Sequence, residues 1–145
     1  MLDIGGFGDI VKVGYGVENR ICAMKRIKYR GNFRDDPYIT SEIYCLTHLK
    51  HKNVIQMIDL MIDEDEIDIV MEYAENGNLE RYIKDSQHLE CVTKIKIYTQ
   101  VLQGVEYCHS MDIAHRDITP ANILLTNDLV KIADFGLAVK CTAGK

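Results

Sequence analysis

The sequence predicts an α+β fold in two lobes, with a small antiparallel β-sheet and one helix over residues 1–74 and a mainly helical second lobe over residues 75–145. Three observations predict this class. β-prone runs fill much of the first half, a polar, turn-forming linker occupies residues 75–78, and an apolar stripe of helical period follows at residues 90–109. We therefore place the boundary between the lobes at the linker.

The composition of the 145 residues, of which 47% are hydrophobic, is that of a globular protein of ordinary domain length. A net charge of −5 argues against nucleic-acid and membrane partners, since both favour clustered Lys and Arg. No apolar run reaches the length of a membrane span and Met1 begins no signal segment, so we predict an intracellular protein, cytoplasmic or nuclear. Five cysteines without a CxxC pair favour reduced, mostly buried thiols.

A glycine-rich turn between two β-prone pieces occupies residues 2–13. Backbone N–H groups at Gly5, Gly6 and Gly8 could approach phosphate oxygens, and Phe7 could cap the turn. Glycines alone favour a flexible hairpin turn, so the phosphate-binding interpretation depends on residues further along the chain.

The next predicted elements are a helix and two strands. Residues 37–50 carry four apolar side chains at helical spacing behind Pro37, which suits a first turn. Residues 54–62 and 67–73 are apolar β-prone runs, and the acidic residues 63–66 between them predict a solvated hairpin tip. This acidic cluster lacks the glycine and the final glutamate of a calcium loop, so we predict no calcium site there.

Three polar groups suited to one chemistry stand near the end of the chain. Thr119-Pro120 blocks helix formation, so Asp117 and Asn122 should lie on a loop. A hairpin should follow, because β-prone runs flank Asn127-Asp128, a pair that tolerates the positive φ of a two-residue turn. The hairpin would return Asp134 to Asn122, and their oxygen atoms suit Mg²⁺. Asp117 would then face a substrate hydroxyl.

Two helices are predicted in the second lobe, a short one at residues 79–85 and a longer one at residues 90–109. The longer helix carries an apolar stripe that we assign to the core rather than to a cofactor site. The stripe consists of Val92, Ile95, Tyr98, Val101, Leu102 and Val105.

The stretches HRDITPAN, at residues 115–122, and DFG, at residues 134–136, resemble the catalytic-loop and metal-loop signatures of eukaryotic protein kinases. The resemblance runs in family order over nearly the whole chain. It implies a two-lobed protein-kinase-like fold whose second lobe is incomplete here. It also implies that Asp117 orients and accepts the proton of the substrate hydroxyl, while Asn122 and Asp134 hold Mg²⁺.

The same resemblance implies an ATP site. Lys25 would bind phosphates, and Glu42 would pair with it from a regulatory helix, with a solvated surface glutamate as the alternative. Met71 would gate the pocket, and residues 72–74 would form the hinge that hydrogen-bonds adenine. The predicted catalytic residues are Lys25, Asp117 and Asn122; the predicted ATP- and Mg²⁺-binding residues are Ile4, Gly5, Gly6, Phe7, Gly8, Ile10, Ala23, Lys25, Glu42, Met71, Glu72, Ala74, Asn78, Leu124 and Asp134, with Asn122 and Asp134 as metal ligands.

Two positions depart from the family pattern. The first glycine of the loop falls on Asp3, and Thr119 stands where serine/threonine kinases generally carry Lys. Pro120 resembles the serine/threonine-type loop, so the predicted substrate is a Ser or Thr hydroxyl of a protein. Thr119 and the stretches NGNLERYIK and KIADFGLA also resemble polo-like kinases of the centriole-duplication type.

Residue 145 falls within the activation loop that the resemblance implies, so we expect a truncated kinase domain with weak or no activity by itself. The incomplete lobe would leave part of the stripe at residues 90–109 as an exposed apolar surface, which invites association, and a docking partner could cover it. Two other functions stay open, a nucleotide-binding, pseudokinase-like regulatory or docking module and a non-enzymatic helical interaction module. Binding of ATP with Mg²⁺ would set the last apart, and phosphotransfer would separate the first two.

Overall fold

The computed structural model describes residues 3–5 and 8–142, and it confirms the predicted α+β class. The chain divides into two compact units, Met1–Asp36 with Gln56–Tyr73 and Pro37–Ile55 with Ala74–Lys145. The predicted boundary after residue 74 lies one residue from the last of these breaks. The helix predicted at residues 37–50 groups with the second unit instead of the first, because its segment hydrogen-bonds to residues near the end of the chain.

The first unit is a five-stranded antiparallel sheet in the order β1-β2-β3-β5-β4. Its strands are β1 Asp3–Gly5, β2 Gly8–Tyr15, β3 Arg20–Lys28, β4 Met57–Ile62 and β5 Glu66–Glu72. β5 has a neighbouring strand on each edge, and its apolar side chains are buried as in the centre of a sheet. The buried apolar residues of β3 and β5 are Cys22, Ile27, Ile67, Ile69, Val70 and Met71.

The acidic segment between β4 and β5 is a hairpin turn, as predicted. The Asp63 N–H donates to the Glu66 carbonyl at 2.9 Å, and residues 63–65 are exposed. A short 3-10 turn at Phe33–Asp35 follows β3, with the Asn32 side chain accepting from the Arg34 N–H at 3.1 Å.

The second unit contains three helices, α1 Pro37–His48, α2 Leu79–Asp85 and α3 Cys91–Ser110. All three were predicted to within about two residues at each end, which is the usual uncertainty of a helix boundary. The Asn78 side chain caps α2 by accepting from the Arg81 N–H at 2.9 Å, so it satisfies a backbone donor at the start of this helix.

Four short strands complete the second unit. They are β6 Ile113–Ala114, β7 Ile123–Leu125, β8 Val130–Ile132 and β9 Val139–Lys140. β7 pairs with β8 in the predicted hairpin, and β6 pairs with β9, also antiparallel.

The hairpin turn differs from the prediction in one respect. Asn127 and Asp128 do not adopt the expected positive φ. Instead, the Thr126 N–H donates to the Leu129 carbonyl at 2.9 Å, and the Thr126 hydroxyl oxygen accepts from the Leu129 N–H at 3.0 Å. A side-chain oxygen thus takes the place of the backbone acceptor, and the turn closes without left-handed residues.

Most of the apolar stripe of α3 is exposed, which corrects its assignment to the core for four of its six residues, while Val101 and Val105 are half-buried. The face of α3 that packs inward carries Gln100, Gly104 and Cys108, spaced four residues apart, and it lies against β8. The stripe lies largely outside this face. Its exposed members are Val92 at 59%, Ile95 at 65%, Tyr98 at 66% and Leu102 at 50%.

The five cysteines are all free thiols, and three of them, Cys22, Cys45 and Cys108, are buried, as predicted. Burial raises the pKa of both Cys45 and Cys108 to about 11. Among the described residues, no helix is both long and apolar enough to cross a membrane.

Candidate functional site

The loop between β6 and β7 holds Asp117 through His115. The Asp117 N–H donates to His115 Nδ1 at 3.1 Å, so the proton of the neutral ring must lie on Nε2, which donates to the Ala133 carbonyl at 2.9 Å. His115 is buried and meets the edge of the Phe135 ring at 4.8 Å between centroids. Burial lowers the pKa of His115, which favours this neutral form.

The amide of Asn122 faces Asp117. Its Nδ2 donates to the Asp117 carbonyl at 3.0 Å and to Asp117 Oδ2 at 2.9 Å. Because both amide hydrogens point toward Asp117, the Asn122 Oδ1 atom is directed away from it and can serve as a metal ligand. Asp117 keeps Oδ1 for a further hydrogen bond.

Asp134 follows β8 at the point where the hairpin returns to Asn122. The Ala133 N–H donates to the Asn122 carbonyl at 2.9 Å, so Asp134 directly follows a residue paired with the other predicted ligand. Asp134 has a left-handed backbone, with φ of 60°, and its Oδ1 accepts from the Gly136 N–H at 3.3 Å. Hydrogen bonds within the second unit thus link the backbone segments that carry Asp117, Asn122 and Asp134.

The donor set fits a hard divalent cation. The described residues contain no cluster of three His, Cys, Asp or Glu side chains that could hold a metal, so a cation at Asp134 needs the Asn122 oxygen and further oxygens from a ligand or water. Mg²⁺ is commonly held in this way, by one or two protein oxygens together with phosphate oxygens.

A buried polar network supports the hairpin from below. The Asn53 side chain donates to the Val130 carbonyl at 2.9 Å and to Gln100 Oε1 at 3.0 Å, and Gln100 Oε1 also accepts from the Val130 N–H at 3.0 Å. The backbone at residues 53–55 pairs with Ile132 through two hydrogen bonds of 2.8 and 2.9 Å. Sequence reasoning missed Asn53 and Gln100, and only Gly104, unusual inside a helix, signalled a close contact here.

The first unit gathers part of the predicted nucleotide site on one face of its sheet. Ile10 lies opposite Lys25, and Ala23 lies opposite Met71, so these four side chains share a face. Lys25 is buried, with 4% of its surface exposed. Gly8 lies close against β3, because a Cβ at Gly8 would lie 2.8 Å from the Arg26 carbonyl oxygen.

The predicted hinge residues are divided between the units. In the first, the Glu72 N–H donates to the Gln56 carbonyl at 3.0 Å, so this N–H is committed within the sheet. In the second, Asn78 forms a bridge with Leu124, and Ala74 is buried. The side chain of Asn78, one of the predicted ATP-binding residues, caps α2.

The remaining predicted residues have separate outcomes. Glu42, on α1, has only 4% of its surface exposed, which makes the alternative of a solvated surface glutamate wrong. Ile4 and Gly5 belong to β1, where only the backbone is described. Gly6 and Phe7 lie outside the described residues.

The sequence of this chain is similar to those of known proteins. Residues 2–145 match the protein kinase domain family. A probable serine/threonine-protein kinase of Dictyostelium discoideum is 38% identical over 135 residues, which are 92% of this chain and 26% of that protein. Human myosin light chain kinase family member 4 is 36% identical over 138 residues, 92% of this chain and 35% of that protein.

A third relative is human receptor-interacting serine/threonine-protein kinase 1, which is 32% identical over 140 residues, 94% of this chain and 21% of that protein. This chain therefore spans well under half the length of each of the three relatives.

Proposed function

This chain belongs to the protein kinase family, and we propose that it binds ATP with Mg²⁺ and transfers the terminal phosphoryl group to a Ser or Thr hydroxyl of a protein. The choice of hydroxyl is supported by the serine/threonine kinases among its relatives and by Pro120 in the catalytic loop. The proposed substrate is a protein rather than a nucleic acid or a membrane lipid, which agrees with the net charge of −5.

The observation that carries the proposal is the set of hydrogen bonds that holds Asp117. Asn122 Nδ2 donates to its carboxylate, and His115 accepts from its N–H, so one carboxylate oxygen and the loop backbone are both held. A carboxylate fixed in this way can orient a hydroxyl for attack and accept its proton. Positioning of this kind supplies much of the catalysis of phosphoryl transfer, which demands little covalent chemistry of the protein.

The charge of the transferred group needs positive partners. When bound, Mg²⁺ would neutralise phosphate charge, and Asn122 Oδ1 and the Asp134 carboxylate are the residues that would hold it. We assign Lys25 to the phosphates as well, with adenine placed between Ile10, Ala23 and Leu124, Met71 gating the pocket behind it, and the hinge at residues 72–74. Lys25, Ile10, Ala23 and Met71 share one sheet face, which supports a common ligand for them.

The test is phosphotransfer from labelled ATP to a generic protein under single-turnover conditions, after ATP and Mg²⁺ have been shown to raise the unfolding temperature. We expect Asp117→Asn to lower the rate about 100-fold or more, because an amide cannot accept the proton. Asp128→Asn, which changes an exposed carboxylate at the hairpin tip, is the matched control and should match wild type. Equal rates for both variants would contradict the proposal.

A second candidate function is a nucleotide-binding module that docks to another protein without transferring phosphate. The exposed apolar stripe of α3 favours it, since such a surface suits a partner. Binding of ATP with Mg²⁺ without any phosphotransfer that depends on Asp117 would support this alternative over the first.

A further inference from the structure

The hydroxyl of Ser41, on α1, donates to backbone carbonyls of the segment that follows Asp134. Ser41 Oγ lies 2.6 Å from the Ala138 carbonyl oxygen and 3.0 Å from the Phe135 carbonyl oxygen, so its one hydrogen is shared between them with the shorter bond to Ala138. These acceptors lie 97 and 94 residues further along the chain. The contact is partly buried, which shields it from competing water.

This behaviour is unusual for a helical hydroxyl. Ser and Thr side chains inside helices commonly donate to a carbonyl of the preceding turn. Thr47, on the same helix, does so by donating to the Ile43 carbonyl at 2.7 Å. Ser41 and Thr47 therefore form a natural pair, since one binds a distant segment and the other binds only α1.

The two carbonyls that Ser41 contacts belong to the first and last residues of a single turn. The Ala138 N–H donates to the Phe135 carbonyl at 3.1 Å, and this turn directly follows Asp134, whose Oδ1 accepts from the Gly136 N–H. From the loop that carries Asp117, Arg116 Nε donates to the Leu137 carbonyl at 2.7 Å. Residues 135–138 are thus held both by α1 and by that loop.

We propose that Ser41 is a positioning residue that ties α1 to the metal-binding Asp134 through the turn at residues 135–138. The proposal rests on the proposed function and assigns a role that neither the motifs nor the relatives' names contain. Glu42 is the next residue of α1. A movement of this helix that displaces Glu42 therefore also displaces Ser41, and with it the turn whose Gly136 N–H donates to Asp134. The Ser41 hydroxyl makes the two positions depend on each other.

The experiment compares Ser41→Ala with Thr47→Ala, its matched control, and with Ser41→Thr, which keeps the hydroxyl. Hydrogen exchange of the backbone amides at residues 134–140 is measured in the full chain without nucleotide. We expect Ser41→Ala to exchange about fivefold to tenfold faster there, the effect of losing one hydrogen bond. Thr47→Ala and Ser41→Thr should keep the wild-type rate.

The second measurement is the affinity for ATP with Mg²⁺ and with EDTA, by titration calorimetry. We expect Ser41→Ala to weaken the Mg²⁺-dependent affinity about fivefold and to leave the affinity in EDTA unchanged, whereas a general loss of structure would lower both. Equal exchange and equal affinity in Ser41→Ala and Thr47→Ala would overturn the proposal.

Two further outcomes keep the test decisive. If the wild-type chain does not bind ATP, the proposed function fails, while the exchange measurement, made without nucleotide, still decides the role of Ser41. If Ser41→Ala does not fold, Ser41→Cys, which keeps the side-chain size but donates weakly, replaces it. Wild-type exchange at residues 134–140 in that variant would then count against the proposal.

Discussion

His115 is a buried residue with both ring nitrogens in use. Nδ1 accepts from the Asp117 N–H and Nε2 donates to the Ala133 carbonyl, so the neutral ring links the catalytic loop to the end of β8. A protonated ring would have a hydrogen on Nδ1, which would face the Asp117 N–H. Burial lowers the pKa of His115, while the neighbouring carboxylates of Asp134 and Asp117 act in the opposite direction.

This linkage predicts a loss of stability in mild acid. The pKa is lower in the folded than in the unfolded chain, so the unfolded chain binds the proton more readily as the pH falls below about 6.5. The contribution of His115 is complete above that pH and is lost as the pH approaches the folded pKa. Urea unfolding of wild type and His115→Phe between pH 7.5 and 5.5 checks this.

We expect His115→Phe to be less stable than wild type at pH 7.5, because it loses two hydrogen bonds, and to have a shallower pH dependence. His51, whose pKa burial also lowers, should account for part of the remaining slope. An unchanged slope in His115→Phe would contradict the interpretation.

At the scale of elements, the hairpin β7–β8 depends on how closely α3 approaches it. A Cβ on Gly104 would lie 2.7 Å from Ile132 Cδ1, 3.0 Å from the Asn53 carbonyl oxygen and 3.2 Å from Asn53 Cβ. The Ile132 methyl could move, but the Asn53 backbone is itself hydrogen-bonded to β8. Glycine is therefore required by the packing, although it is unfavourable in a helix.

Gly104→Ala tests whether this contact is tight. Helix propensity alone would stabilise the variant by about 1 kcal/mol. We expect overpacking to prevail and to lower the free energy of unfolding by about 1 kcal/mol in net terms, measured by urea unfolding. Glu106→Ala, at an exposed position of the same helix, should change it by less than about 0.5 kcal/mol. A more stable Gly104→Ala would show that the hairpin can move away from α3.

The elements and the loop that carries Asp117 and Asn122 could be predicted because their signals are local. Periodicity indicated α1, α2 and α3, and the motifs indicated Asp117, Asn122 and Asp134. The supporting residues have no local signal in the sequence, because their partners are distant. Ser41 donates to carbonyls 94 and 97 residues away, and Asn53 donates to the Val130 carbonyl. The buried face of α3 was misjudged for a related reason, because small and polar residues pack on the hairpin while larger apolar ones stay exposed.

At the scale of the whole chain, the exposed stripe of α3 predicts self-association. Ile95, Tyr98 and Leu102 are each at least half exposed and lie on neighbouring turns, which forms an apolar surface that monomeric proteins usually avoid. We expect the double variant Ile95→Lys with Leu102→Lys to be monomeric at concentrations where wild type associates, as measured by sedimentation velocity.

The same substitutions should change the free energy of unfolding by less than about 0.5 kcal/mol, since neither side chain is buried. Val17→Lys replaces a fully exposed apolar residue of the first unit and should leave association as in wild type. Association that persists in the double variant would place the self-associating surface elsewhere.

The left-handed backbone of Asp134 determines which substitution best tests the proposed role of this residue. With φ of 60°, the position suits Asp, Asn or Gly, and other side chains there add a conformational cost of about 1 kcal/mol or more. Asp134→Ala would therefore combine the loss of a carboxylate with a distorted loop, and its phenotype would be ambiguous. Asp134→Asn removes the charge alone, so it is the cleaner substitution for testing whether this carboxylate holds a metal ion.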